Sequence, residues 1–153
     1  MGQITATAKA LIFNDKNELL ILKRSEWKEQ PKFSRQPDIP GGEIDEEDDN
    51  GRITAAREIF EETGIRARSH DLKLVFSKTQ FIKYNGQEES QTKLYYMLKL
   101  DHTPEVKISW EHESFAWRTL DYAAKNIDLS YGIGRSDGLV IPYIYEHRDI
   151  FGV

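Results

Sequence analysis

From Asn50 to Ile65 the chain reads NGRITAAREIFEETGI. Asn50 is a suitable N-cap, because its side-chain oxygen accepts from the free amides of a first helical turn. Gly64 suits the left-handed residue that ends a helix. The segment between them is predicted to be helical. At about 100° per residue, Ile53, Ala56 and Phe60 form one arc with Ile59 at its edge, and Glu58, Glu61 and Glu62 lie on the other side. The expectation is that the apolar arc packs on a sheet and the three carboxylates point outward.

A helix selected for stability alone would avoid this pattern. Glu58 repels both Glu61 and Glu62 at helical spacing, by about 0.2–0.5 kcal/mol per pair. All three lie in the C-terminal half, where the helix dipole disfavours anions. No Lys or Arg follows any of them at i+4 within the helix. A bound divalent cation would reverse the sign of each of these terms, and Mg²⁺ suits carboxylates that share it with substrate phosphates.

Around this helix the pattern is that of strands. Ile4–Phe13 and Leu19–Leu22 read as two strands joined by a turn at Asn14–Asn17. Arg24 to Pro40, with Pro31, Pro37 and Pro40, reads as one long loop. Leu72–Lys83 and Ser90–Leu100 flank the turn Tyr84–Gly86 as a second hairpin, and Ser114–Leu120 reads as a short strand. Asp121–Lys125 and Asp137–Arg148 read as helices, the second carrying Pro142. Strands on both sides of a central helix predict one layered α/β domain over residues 1–153.

Composition narrows the function. The 153 residues are 39% apolar and 11% aromatic, enough for a core, and 31% charged. A net charge of −5 lacks the electrostatic footprint of a nucleic-acid or anionic-membrane binder. The absence of cysteine excludes disulfide scaffolds, thiolate metal sites and cysteine nucleophiles. Neither a signal-peptide pattern nor a bilayer-length apolar run occurs, so the expected setting is the cytoplasm, with no membrane and no nucleic-acid partner.

The segment REIFEETGI, Arg57–Ile65, resembles the second half of the Nudix box, and IPGGEID, Ile39–Asp45, resembles the turn that opens it. One departure stands out. The family's first box glutamate lies eight residues before the arginine, where this chain has Asp49, and the spacing from Gly42 to Asp49 is one residue too long. The resemblance implies an α/β/α sandwich with a mixed, curved β-sheet. It also implies a Mg²⁺-dependent hydrolase, with Mn²⁺ a possible substitute, that cleaves a nucleoside diphosphate linked to another group. Glu58, Glu61, Glu62 and the Gly41 carbonyl would hold the metal, which neutralises the diphosphate and activates a water. Arg57 would orient the carboxylates rather than touch substrate.

In the same family a fourth acid comes from a loop before a late strand. SWEHESFAW, Ser109–Trp117, matches that segment, which makes Glu111 the first candidate for metal ligand or base and Glu113 the second. His112 between them is expected to be a structural or surface histidine rather than a ligand, since Mg²⁺ prefers oxygen. Lys23 and Arg24 are candidates for substrate phosphates, and Trp27, Phe33 and Tyr131 for stacking on a base. The partner is then a small-molecule nucleotide. Isopentenyl diphosphate isomerisation on the same fold is disfavoured by the missing cysteine. A non-catalytic nucleotide-sensing module is the alternative, discriminated by the intact glutamates.

Overall fold

The computed structural model describes residues 3–48, 50–130 and 136–153; Asp49 and Tyr131, singled out above, lie outside them. Strands β1 (Gln3–Phe13) and β2 (Glu18–Arg24) form the first hairpin. Its turn is built by Asn14, whose Oδ1 accepts from the backbone of Lys16 and Glu18 while Nδ2 donates to the Glu18 carboxylate. Two short strands follow, β3 (Pro37–Asp38) and β4 (Gly41–Glu43), then helix α1 (Gly51–Thr63). The second hairpin is β5 (Lys73–Tyr84) and β6 (Gln87–Lys99), turning on Asn85 and Gly86 at positive φ. Strand β7 (His112–Thr119) leads into helices α2 (Leu120–Asn126), α3 (Asp137–Glu146) and α4 (Arg148–Phe151).

The seven strands form one mixed sheet in the order β3-β2-β1-β6-β5, with β4 on β1 and β7 on β2. Strand β1 runs parallel to β6 along its whole length, and the other pairings are antiparallel. The sheet forks at β1. Only Phe13 pairs with β2, at Leu19, whereas Thr7–Lys9 pair with Gly41–Glu43. Hydrogen bonds from Ala10 to Pro40 and from Ile44 to Ala6 complete the zipper. Short β3 and β4 lie in segments that carry no strand period, because their pairing comes from the rest of the sheet.

Alternation along β1 supplies both cores. Ala8, Ala10 and Ile12 face one side with Leu20, Leu22, Tyr96 and Leu98, and receive Ala55 and Ile59 of α1. Leu11 and Phe13 face the other side with Tyr95 and Met97, under Leu120 and Ala123 of α2 and Val140, Ile141 and Ile144 of α3. Helices on both faces make the expected α/β/α sandwich. Among the described residues no helix is long and apolar enough to cross a membrane.

One expectation holds only in part. The buried face of α1 is Gly51, Thr54, Ala55, Ile59, Glu62 and Thr63, while Ile53 and Ala56 are half-buried and Phe60 is exposed. The floor beneath it explains why. A helix close to Ala8, Ala10 and the Gly41–Gly42 turn needs small side chains inward, and a Cβ added at Gly51 would strike the Tyr96 hydroxyl. Phe60 is 46% exposed and lies under the Arg66 guanidinium, whose carbon is 4.8 Å from its ring centroid.

Candidate metal and phosphate site

Turning α1 this way aims its carboxylates at the fork in the sheet. Glu62 is 4% exposed, and its Oε2 accepts the Gly41 N–H at 3.1 Å. Burial, with Asp38 adding repulsion and Lys9 partly relieving it, pushes its pKa up to about 9. Glu58 packs against Gly42, where any Cβ would collide with its Oε1. Its pKa is also raised, by burial and by Glu61, with Glu111 adding to the repulsion that Arg57 opposes. Glu111 itself is exposed, at the turn before β7.

Arg57 lies among four acids. One guanidinium nitrogen lies 3.2 Å from Glu58 and 3.5 Å from Glu61, and the other lies 3.0 Å from Asp48 and 3.3 Å from Asp45. The absence of cations at i+4 therefore overstated the repulsion, because Arg57 reaches both acids from the N-terminal side. Arg57 meets Asp48, which lies six residues after Gly42, the spacing of the family's first box glutamate from the glycine of the turn. Asp48 also accepts from the Thr54 hydroxyl at 2.6 Å, tying the turn to the first half of the helix. The extra residue of the box thus falls between Asp48 and the helix start.

A hard cation fits this donor set. The ligands are all oxygen, and two of the acids stand where burial leaves their ionised forms short of positive charge, a deficit that a divalent cation makes good. As placed, no three acidic or histidine side chains among the described residues converge tightly enough to enclose an ion, since Glu58 and Glu61 turn to Arg57. At Gly41 it is the N–H that meets Glu62.

The remaining candidates divide. Lys23 lies 3.8 Å from Glu113, and Arg24 lies 3.4 Å from Asp38, so these adjacent cations diverge toward different acids. Trp27 and Phe33 pack on each other with ring centroids 5.8 Å apart. His112 is buried, and its Nε2 is 3.0 Å from Asp38. That agrees with a structural histidine, although its Nδ1 is buried with no partner.

Sequence reasoning missed the ionic cluster behind the site. Lys9 Nζ bridges Asp38 at 3.0 Å and Asp137 at 3.1 Å, and Lys93 reaches Asp137 at 3.1 Å. The Tyr95 hydroxyl donates to Asp137 as well. Burial opposes the charge on Lys9, but Asp137 and Asp38 outweigh it and hold its pKa above the ordinary lysine value. Lys9, with a hydrogen bond from His112 and the charge of Arg24, keeps Asp38 well below the usual carboxylate range against its own burial. The signal was a lysine at position 9 inside the apolar run AKALIF, and another at 93 before LYYM.

With the geometry in hand, three comparisons bear on the chain. A family model described as the NUDIX domain matches residues 4–132. An asymmetrical bis(5'-nucleosyl)-tetraphosphatase from Rattus norvegicus is 31% identical over 87 residues, 56% of this chain and 57% of that protein. The match thus spans little more than half the length of that curated relative. A solved MutT NUDIX hydrolase from Burkholderia pseudomallei is 27% identical, with a TM-score of 0.57, over 78% of this chain and 85% of that one. The NUDIX domain of Shewanella oneidensis NrtR, solved with ADP ribose, superposes with a TM-score of 0.69 at 19% identity, covering 99% of this chain and 90% of that one.

Proposed function

Because the chain belongs to the NUDIX domain family, we propose that it is a pyrophosphohydrolase that cleaves a phosphoanhydride bond in a nucleoside diphosphate linked to another group, with Mg²⁺ as cofactor. The observation that carries this reading is the pair of half-buried and buried acids, Glu58 and Glu62, set against the Gly41–Gly42 turn with too little positive charge of their own. A bound Mg²⁺ would supply charge neutralisation and an acidified water. Glu58, Glu61 and Glu62 would hold it, with the Gly41 carbonyl and with Glu111 from the opposite turn.

The chain's own groups have distinct tasks. Arg57 holds Glu58 and Glu61 in place through its first nitrogen while Asp48 and Asp45 fix the second, which restricts the carboxylates to few rotamers before any ligand arrives. Gly42 leaves room for the Glu58 carboxyl, so that acid lies against the main chain rather than in water. Glu111, exposed and adding to the repulsion at Glu58, would serve as the last metal ligand or, if it stays off the metal, as the base that takes a proton from the attacking water. Lys23 and Arg24 would contact substrate phosphates only by leaving Glu113 and Asp38.

The test is a panel of dinucleoside tetraphosphates, ADP-ribose and nucleoside triphosphates, with products separated by anion exchange. Dinucleoside tetraphosphates come first because of the rat relative. Hydrolysis with Mg²⁺, none with EDTA, and a loss of about a hundredfold or more in Glu58→Gln and Glu62→Gln are expected. Activity that survives chelation overturns the reading. Binding of panel members without turnover would make the chain a nucleotide-sensing module instead.

A further inference from the structure

The turn that carries Glu111 also carries Trp110, whose side chain is 86% exposed. Its main chain is nonetheless fixed. The Trp110 carbonyl accepts from the Ser25 hydroxyl at 2.8 Å, the Glu111 carbonyl accepts from the Ser25 N–H at 2.9 Å, and the His112 N–H returns to the Ser109 carbonyl at 3.2 Å. The His112 ring then meets Asp38, three residues before Gly41, whose N–H holds Glu62. The turn is therefore tied both to the loop after β2 and to the strand that feeds the acidic site.

An indole on a well-fixed turn gains nothing from packing here, so its flat apolar face is available to a ligand. The neighbours of Trp110 are Ser109, Glu111, His112 and Glu113. With polar residues on both sides of it in the chain, the turn presents one apolar ring rather than the run of apolar side chains that a protein interface requires. A planar, π-faced group tethered to phosphates matches such a spot, because the adjacent Glu111 adds to the negative charge felt by Glu58, in the acidic site where the phosphates belong. A second aromatic element lies on Ser25's own loop: Trp27 and Phe33, packed together, with the Trp27 main chain held on both sides by the Ser34 hydroxyl.

We propose that Trp110 is the platform on which the nucleobase of the substrate stacks, and that it selects nucleotides over phosphoanhydrides that lack a base. The proposal rests on the hydrolase reading above and deepens it by naming what the site recognises beyond phosphate. Base–aromatic stacking removed by alanine substitution weakens affinity about 5- to 150-fold. Trp110→Ala should therefore raise KM for the best nucleotide of the panel about tenfold or more while kcat stays within about twofold. Trp110→Phe should keep most of the affinity. Inorganic tripolyphosphate, which has no base, should show the same KM in wild type and Trp110→Ala.

A second readout does not need turnover. Titration of AMP in the presence of EDTA should quench the tryptophan fluorescence of the wild type, and Trp110→Phe should lose that quench. An unchanged nucleotide KM in Trp110→Ala overturns the proposal, as does an equal rise for tripolyphosphate. It is also overturned if Trp110→Ala abolishes a concentration-dependent dimer, which would mean that a second copy covers the ring. If no panel member is hydrolysed, the hydrolase reading fails by itself, and the AMP quench still decides whether Trp110 takes a base.

Discussion

Glu62→Gln isolates the electrostatic cost built into the site. In the metal-free protein Glu62 titrates at about 9 against an ordinary 4.5, because it is buried and faces Asp38. Between those two pH values the folded state retains a proton that the unfolded chain has released, so stability falls as pH rises from 4.5 to 9. By pH 7 about 2.5 of the shifted units have been traversed, which at about 1.4 kcal/mol per unit amounts to about 3 kcal/mol. Glutamine keeps an oxygen to accept the Gly41 N–H and carries no charge, so it escapes that cost. Urea or thermal unfolding in EDTA should find Glu62→Gln equal to wild type near pH 5 and more stable by about 3 kcal/mol at pH 7. For a chain of this size that is about 6–12 °C in Tm. Millimolar Mg²⁺ should then stabilise the wild type, by about 2.7 kcal/mol at a hundredfold excess over Kd, and leave the variant nearly unmoved. A variant less stable than wild type at pH 7, or a difference independent of pH, would refute the reasoning and make Glu62 a structural residue.

Other substitutions probe the surrounding parts. Gly42→Ala places a Cβ on the Glu58 carboxyl, so Mg²⁺ affinity measured by calorimetry should fall about tenfold or more with Tm nearly kept. Gly41→Ala instead meets the Ala8 carbonyl oxygen at 2.5 Å and the Lys9 Cα at 2.7 Å, and should lower Tm. Lys9→Met leaves Asp38 and Asp137 buried with one bridging cation fewer, and urea unfolding should register a loss of about 3–5 kcal/mol; under 1 kcal/mol would mean that Lys93 and Arg24 suffice. Glu111→Gln should cut kcat about a hundredfold or more with Tm unchanged. Glu113→Gln, whose acid is occupied by Lys23 and Arg35, should do less, and reversed ranks would assign Glu113 the role.

The helix that carries the chemistry was legible because its ends are coded locally. Asn50 Oδ1 accepts from Arg52 and Ile53, and Gly64 sits at a φ of 75°, as their positions in the sequence predict. The second hairpin was legible for the same reason, through Asn85 and Gly86 at its turn. What a wheel could not supply was the face α1 turns inward. That depends on the height of the floor it meets, and Ala8, Ala10 and the glycine pair admit Thr54, Ala55 and Glu62 where Phe60 would not fit. Strands β3 and β4 escaped notice since two or three residues carry no period, and only β1 and β2 confer their extended form. The Asp48–Arg57 link was hidden by counting back from the arginine instead of forward from Gly42. Lys9 was passed over because a hydropathy pattern averages a single charge away, although its neighbours AKALIF bury it.

Central to the proposed hydrolysis is a divalent-cation site in the Gly41–Glu62 region. Electron paramagnetic resonance of Mn²⁺ added to the EDTA-washed protein measures this directly, by the loss of the free-ion signal. The expected result is saturable binding by the wild type at pH 8, displaced by excess Mg²⁺ and strongly weakened in both Glu58→Gln and Glu62→Gln. Mn²⁺ bound equally well by wild type and both variants, or not bound at all, would contradict it.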